Sequence, residues 1–374
     1  MLQDEIRTIM EKELGQQFLL DQSSLFQGKL VFFAPRKNID IHTIFELQRK
    51  LMDTYQIFTQ IDTDDLYYIL QYKGKLNIKS KKTKYWLHSL LFLLTLFTTT
   101  ATGAILRGHF FWEGWNEFLL GLPYAFALLT ILTAHEMGHY LFAIKNRVKA
   151  TLPYYIPFFI PAFNLGTMGA FIKIQSPILD RRSLLKIGIM GPIAGFIFTL
   201  LFLLVGYLSL PDEQGIWAYI QTIHPINGQP EPGTNLILGK SILFWFFNDV
   251  LAGGRLPMNE IYHFPFIFAG WVGLLVTAIN LMPIGQLDGG HISYALFGNK
   301  SGLISAITFA FLILLNFFSL NYLVWTLLIF FIVKFRHPPT LNDYITLTPG
   351  EKILGIFGYI IFILAFIPMP FSIT

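Results

Sequence analysis

The chain has 374 residues, of which 53% are hydrophobic and 13% charged, with a formal net charge of +4 and no cysteine. About a quarter of the residues of a soluble domain are charged, so this composition, with a mean hydropathy of +0.53, excludes an ordinary soluble protein and points to a multi-pass membrane protein. The missing cysteines exclude disulfides, a thiolate metal site and a cysteine nucleophile.

The first twenty residues, with Asp4, Glu5, Arg7, Glu11 and Lys12, lack the apolar core of a secretory signal, so the N-terminus is expected on the cytosolic side. Residues 1–83 read as a small α+β accessory domain. Its pattern predicts a polar helix Asp4–Leu14, a strand Lys29–Phe33, a helix Asp40–Tyr55, and strands Ile57–Ile61 and Leu66–Gln71. It carries no catalytic signature. Lys73, Lys75, Lys79, Lys81, Lys82 and Lys84 follow, directly before the first apolar segment. Such a strip suits a cytosolic membrane face with anionic lipid heads, and marks topology rather than a nucleic-acid partner.

Residues 84–374 read as a membrane-embedded domain. A helix needs about 20 apolar residues to cross a bilayer core, and that ruler gives about six or seven transmembrane helices, hence an all-α polytopic protein. The spans run from about Tyr85 to Leu106, Phe118 to Ile144, Leu184 to Leu208, Phe264 to Met282, Gly302 to Phe318, Tyr322 to Val333 and Ile353 to Ile367. Lys145, Arg147, Lys149, Lys173, Arg181, Arg182 and Lys186 then fall on the cytosolic side, whereas the loop from Pro211 to His263 is acidic. The positive-inside rule supports that orientation.

The second span carries Thr133-Ala134-His135-Glu136-Met137-Gly138-His139. On a helix, His135 and His139 lie one turn apart on one face, so both imidazoles can reach one metal ion while Glu136 stands beside them as a base. Zinc fits two imidazoles and a carboxylate and leaves a fourth position for water. Such groups facing lipid would be expensive, so a polar cavity, a metal or both is implied. A third ligand is expected from the turn after the fourth span, Asn280-Leu281-Met282-Pro283-Ile284-Gly285-Gln286-Leu287-Asp288-Gly289-Gly290-His291. Its prolines and glycines break the helix near the depth of the histidines, and Asp288 is the candidate. The bland alternative for Asp288 is a turn aspartate bonded to its own loop.

The paired motifs, together with Ala269-Gly270-Trp271-Val272-Gly273-Leu274, resemble the site-2 protease family of intramembrane zinc metalloproteases, in the branch of the plastid pale-leaf protease and its bacterial relatives. The resemblance covers about residues 85–335. It implies one zinc per chain held by His135, His139 and Asp288, with Glu136 as the catalytic base. The wider family has Asn-Pro-Asp-Gly as its second motif, whereas here an insertion separates Asn280 from Asp288; no PDZ-like stretch is visible. Residues 152–177, rich in Pro and Gly and ending in the alternating Ala170-Phe171-Ile172-Lys173-Ile174, would be a membrane-dipping β-hairpin between the second and third spans. Its edge could hold an unwound substrate segment by strand addition. Asn164 and Asn280 are candidate oxyanion or substrate contacts.

Gly191-Pro192-Ile193-Ala194-Gly195 predicts close helix packing. His109, His224, His263 and His337 read as interfacial or surface residues, and His291 stands near enough to Asp288 to support it. The stretch Ile242 to Val250 is too short to cross and is expected at the outer surface. The expected function is cleavage of a transmembrane segment of a single-span membrane protein within the lipid bilayer, in a bacterial cytoplasmic membrane since no transit segment is visible. The alternative is a non-proteolytic zinc-binding protein, a metal transporter or scaffold. A transporter would need polar groups at several membrane depths, and a scaffold would have no need of Glu136.

Overall fold

The computed structural model describes residues 22–26, 29–35, 55–62, 65–72, 84–159, 165–176, 181–223, 236–317 and 345–373, with isolated positions between 178 and 343. By contacts the chain divides into two units: residues 1–83 with 174–180 and 339–345, and residues 84–173 with 181–338 and 346–374.

In the first unit, β1 (Gln22–Phe26), β2 (Lys29–Pro35), β3 (Tyr55–Asp62) and β4 (Asp65–Tyr72) form a sheet of order β1-β2-β4-β3, every pair antiparallel. Three strands contain the expected segments; β1 was not expected. Polar Gln22, Ser23 and Ser24 hide it, and its pairing across the short Gln27-Gly28 connection places it. The expected helices Asp4–Leu14 and Asp40–Tyr55 lie outside the described residues, apart from Tyr55, which begins β3.

The second unit is mostly helical. α1 (Tyr85–Ile105), the short α2 (Trp115–Leu119) and α3 (Leu122–Lys145) are followed by a hairpin of β5 (Tyr154–Pro157) and β6 (Thr167–Phe171). α4 (Arg181–Leu208) and α5 (Glu213–Ile223) come next. Then β7 (Leu236–Leu238) leads to α6 (Ile242–Trp245), which widens into a π-turn at Phe246–Leu251. α7 (Pro265–Leu281), α8 (Asp288–Phe297), α9 (Ser301–Leu315) and α10 (Pro349–Ala365) complete the helices, and β8 (Phe371–Ile373) pairs with β7.

Among the described residues, four helical stretches are long and apolar enough to cross a membrane: 85–105, 115–145, 181–208 and 288–315. The expected fourth and last spans are shorter, at 17 residues each. The expected sixth, Tyr322 to Val333, lies almost wholly outside the described residues. At 1.5 Å per residue α7 is about 25 Å long, less than a bilayer core of about 30 Å. It is buried along most of its length, from Ile267 to Leu281, and packs against α3, α4 and α10. A helix apolar all round belongs inside a bundle, and protein neighbours free it from matching the lipid thickness.

α10 is fixed at its start by a reciprocal cap. The Thr348 hydroxyl accepts from Glu351 N, and Glu351 Oε2 accepts from Thr348 N at 2.9 Å. Glu351 also binds Lys186 Nζ at 2.8 Å and Arg182 Nε at 3.4 Å, tying α10 to α4. Burial pushes the Glu351 carboxyl up, but Lys186 and Thr348 outweigh it and hold it below its ordinary value. Thr348→Ala is expected to cost about 1 kcal/mol, read as a lower Tm of the purified protein in detergent.

Two histidines differ from expectation. His263 is buried in protein rather than on its surface: its Nδ1 donates to the Leu106 carbonyl and its Nε2 faces Glu260 at 3.3 Å. His337 Nε2 lies 2.5 Å from His291 Nδ1, and its ring stacks on Tyr294. Both are ties between distant segments, which a lone histidine in sequence does not reveal. The Ile242 stretch exposes Ile242, Trp245, Phe246, Val250 and Leu251 while burying Phe244 and Phe247.

Candidate metal centre

His135 and His139 stand on α3 one turn apart, both buried, on the side that packs against α4. The His139 Nδ1–H donates to the Ile187 carbonyl at 2.7 Å. A carbonyl only accepts, so that bond fixes the tautomer and leaves the Nε2 lone pair for a ligand. Ile187 lies just before Pro192, whose missing N–H leaves the Gly188 carbonyl without its helical partner and loosens this turn of α4. Space for the rings comes from glycine. A Cβ on Gly191 would strike the His139 imidazole, and one on Gly195 would come within 3.0 Å of His135 Cβ.

Asp288 opens α8. Between α7 and α8 the chain turns through Pro283, Ile284 and Gly285, the last at φ 55°. Gly285 N–H donates to Ser305 Oγ at 3.1 Å. A Cβ on Gly289 would meet the Leu281 carbonyl and one on Gly290 the Gly285 carbonyl. Two successive glycines thus let the first turn of α8 fold back on the end of α7, which carries Asp288 to the histidines. Asp288 Oδ2 is 3.2 Å from both His135 Nε2 and His139 Nε2, and the two Nε2 atoms are 3.1 Å apart.

These residues fit a metal ion. Their ligand atoms all lie within 4.8 Å of one another, and they are the only such cluster of three or more among the described residues. Tetrahedral zinc with bonds of about 2.0–2.1 Å spaces its ligand atoms about 3.3 Å apart, close to the 3.1–3.2 Å separations here. Two imidazoles and a carboxylate also match the usual donors of zinc.

Glu136 is buried beside the cluster without joining it, and its Oε2 accepts the Ile172 N–H at 2.8 Å. Asn280, in the last turn of α7, places its amide Nδ2 3.2 Å from His135 Nε2. Asn164 lies outside the described residues. His291 turns towards His337, and no hydrogen bond joins it to Asp288 among the described contacts. Sequence reasoning missed the Ile187 carbonyl and the Ile172 N–H, since backbone groups leave no mark in side-chain patterns. The glycine spacing on α4 signalled close packing but not which side chains it accommodates.

Helices of membrane-spanning length around a buried His-Glu-Met-Gly-His turn, faced by a carboxylate from another helix, define a membrane-embedded metalloprotein with the ligand set of a metallopeptidase. Residues 123–320, more than half of the chain, match the model of peptidase family M50, and the chain belongs to that family. It is 31% identical over 257 residues to the probable zinc metalloprotease EGY2, chloroplastic, of Arabidopsis thaliana, a match covering 68% of this chain and 43% of the relative. It is 29% identical over 368 residues to the protein of the same name from Oryza sativa subsp. indica, covering 95% and 64%. The probable zinc metalloprotease EGY1, chloroplastic, of Arabidopsis thaliana is 30% identical over 251 residues, covering 66% and 43%. The chain thus spans between 43 and 64% of the length of these relatives. No solved structure matches it.

Proposed function

We propose that the chain is an intramembrane zinc metalloendopeptidase that hydrolyses a peptide bond within the transmembrane segment of a single-span membrane protein. The observation that carries this reading is the meeting of His135 Nε2, His139 Nε2 and Asp288 Oδ2 at mutual distances of 3.1–3.2 Å, with Glu136 on the next residue of the same turn. His135, His139 and Asp288 hold the ion. Zinc bound there supplies Lewis acidity, lowering the pKa of water and polarising a carbonyl. Glu136 takes the proton of the attacking water and delivers it to the leaving amine. The Asn280 amide, 3.2 Å from His135 Nε2, is assigned as donor to the developing oxyanion, and Asn164 is a second candidate for that contact.

The N-terminal unit is assigned to the cytosolic side, in keeping with the basic residues at 145–149 and 181–186. The cut would then fall near that face and release a cytosolic fragment, as in regulated intramembrane proteolysis. The relatives are chloroplastic by name, so a plastid membrane stands beside the bacterial cytoplasmic membrane as the location, with the stroma in place of the cytosol.

The test pairs zinc analysis with cleavage of a model membrane-spanning substrate by purified protein. Wild type is expected to hold about one zinc and to cleave, and Asp288→Ala to lose at least tenfold in zinc affinity together with cleavage. Full zinc retention by Asp288→Ala would mean another third ligand, and a zinc-loaded wild type that leaves membrane-spanning substrates intact would end the peptidase reading. Asn280→Ala is expected to keep zinc while slowing cleavage about 10²-fold, the usual effect of removing one oxyanion donor; unchanged turnover would remove Asn280 from the mechanism.

A further inference from the structure

The β5–β6 hairpin is fastened to both α1 and α3. β5 packs on α1, and the Pro153 carbonyl accepts from His88 Nδ1 at 3.0 Å. The Tyr155 and Thr133 hydroxyls bond at 2.7 Å, the Gly166 carbonyl accepts from the Thr98 hydroxyl at 2.7 Å, and the Leu165 carbonyl accepts from the Tyr124 hydroxyl at 3.0 Å. β6 also packs against α3, the helix that carries Glu136. Thr151 N–H donates to the Lys173 carbonyl at 3.0 Å, so Lys173 faces the β5 side. Lys173 N–H also donates to Thr151 Oγ1 at 3.0 Å, so the two residues after β6 continue along the chain leading into β5, and successive residues of an extended chain present their backbone groups to opposite sides. The Ile172 N–H therefore points away from β5, and its acceptor is the Glu136 carboxylate at 2.8 Å.

Glu136 is thus bonded to Ile172, the residue directly after β6, on the side that an extended peptide would need if its pairing with β6 ran on past Phe171. In a ladder, the outward N–H at 172 is the donor offered to an added strand, and one N–H serves one strong acceptor at a time. Resting on the peptidase reading, we infer that the Ile172–Glu136 hydrogen bond is a substrate-released latch. Without substrate it parks the base on the residue that follows β6. An unwound segment pairing with β6 takes the Ile172 N–H and returns Glu136 to the attacking water. A transmembrane helix that stays wound hides its carbonyls in its own hydrogen bonds and leaves the base parked. The latch selects extended, helix-broken segments as substrates, and it limits idle proton transfer at the metal centre.

The test compares two variants that do not cleave. Glu136→Gln keeps an oxygen that accepts from Ile172 N–H, whereas Glu136→Ala removes it. Full-length, zinc-loaded proteins in lipid nanodiscs are given a synthetic transmembrane peptide of about 20 apolar residues broken by a central Asn-Gly. Affinity is read by fluorescence and amide protection over residues 167–173 by hydrogen exchange. Without peptide, the Ile172 amide is expected to exchange faster in Glu136→Ala than in Glu136→Gln; with peptide it is protected in both. The peptide is expected to bind Glu136→Ala about fivefold more tightly, the scale of one net hydrogen bond. Ile172→Pro in the Glu136→Ala background is expected to weaken binding by a similar factor, because the donor to the incoming strand is gone and no latch bond offsets its loss. Equal affinity and equal protection in the two Glu136 variants would overturn the latch and leave the bond as a fixed support of Glu136. A wild type that leaves the same peptide uncleaved would instead count against the peptidase reading, and the peptide-free exchange rates still decide whether Glu136 holds the Ile172 amide.

Discussion

Glu136→Gln is expected to keep about one zinc per chain and to lose cleavage by about 10³-fold, within the range for removing a general base. The reasoning is geometric. Glu136 lies outside the cluster of three ligand atoms, so the substitution leaves the donors in place and preserves side-chain volume. Gln also keeps an oxygen for Ile172 N–H, so the fold around the site should persist. What disappears is the ability to take up a proton. Zinc analysis and a cleavage time course on one preparation separate the two effects. Cleavage at the wild-type rate would remove Glu136 from the reaction, and loss of zinc would make it a ligand.

Gly191→Ala is expected to weaken zinc binding by between about 10- and 100-fold, the scale seen when the supports of metal ligands are disturbed. Helix propensity alone favours alanine over glycine by about 1 kcal/mol. Here that gain is outweighed, because the new methyl would occupy the position of the His139 ring. Overpacking of this kind costs about 1–3 kcal/mol. Relieving it by moving His139 breaks the hydrogen bond to the Ile187 carbonyl that fixes the tautomer. Gly302→Ala is the control, since a Cβ there meets nothing within 4 Å, and it should bind zinc as wild type does. A competition titration against a chromophoric chelator reads both; equal affinities for Gly191→Ala and wild type would mean that α4 yields more readily than its packing implies.

The features legible in the sequence are local ones. The one-turn spacing of His135 and His139 needs only helical periodicity, and long apolar runs announce α1, α3 and α4. Asp288 is harder, because nothing in Asp-Gly-Gly distinguishes a ligand from a turn residue until α7 and α8 fold against each other. Its glycines prove to be the reason that Asp288 reaches the histidines. The strand-like alternation at 170–174 foreshadows the hairpin, yet β6 spans Thr167–Phe171 and its partner β5 contains Pro157, where proline argues for a loop. β7 and β8 are three residues each and separated by more than 130 positions, so no short window could pair them. The 17-residue α7 was expected slightly longer because a lipid ruler does not apply to a helix lined by protein.

The placement of the ligands along their helices has a bearing on supply. His139 lies about 9 Å of helix from the end of α3 at Lys145, Ile187 a similar distance from the start of α4, and Asn280 in the last turn of α7, so the metal centre sits at one end of the bundle. Met282, Ile284 and Gly285 just beyond α7 are buried, so that end of the bundle closes over the site with protein. If the helices span a membrane as proposed, the shorter path for water, protons and replacement zinc is from the compartment on that face. On the proposed reading, the acidity and metal content of that one compartment would set both the protonation of Glu136 and the loading of the three ligands.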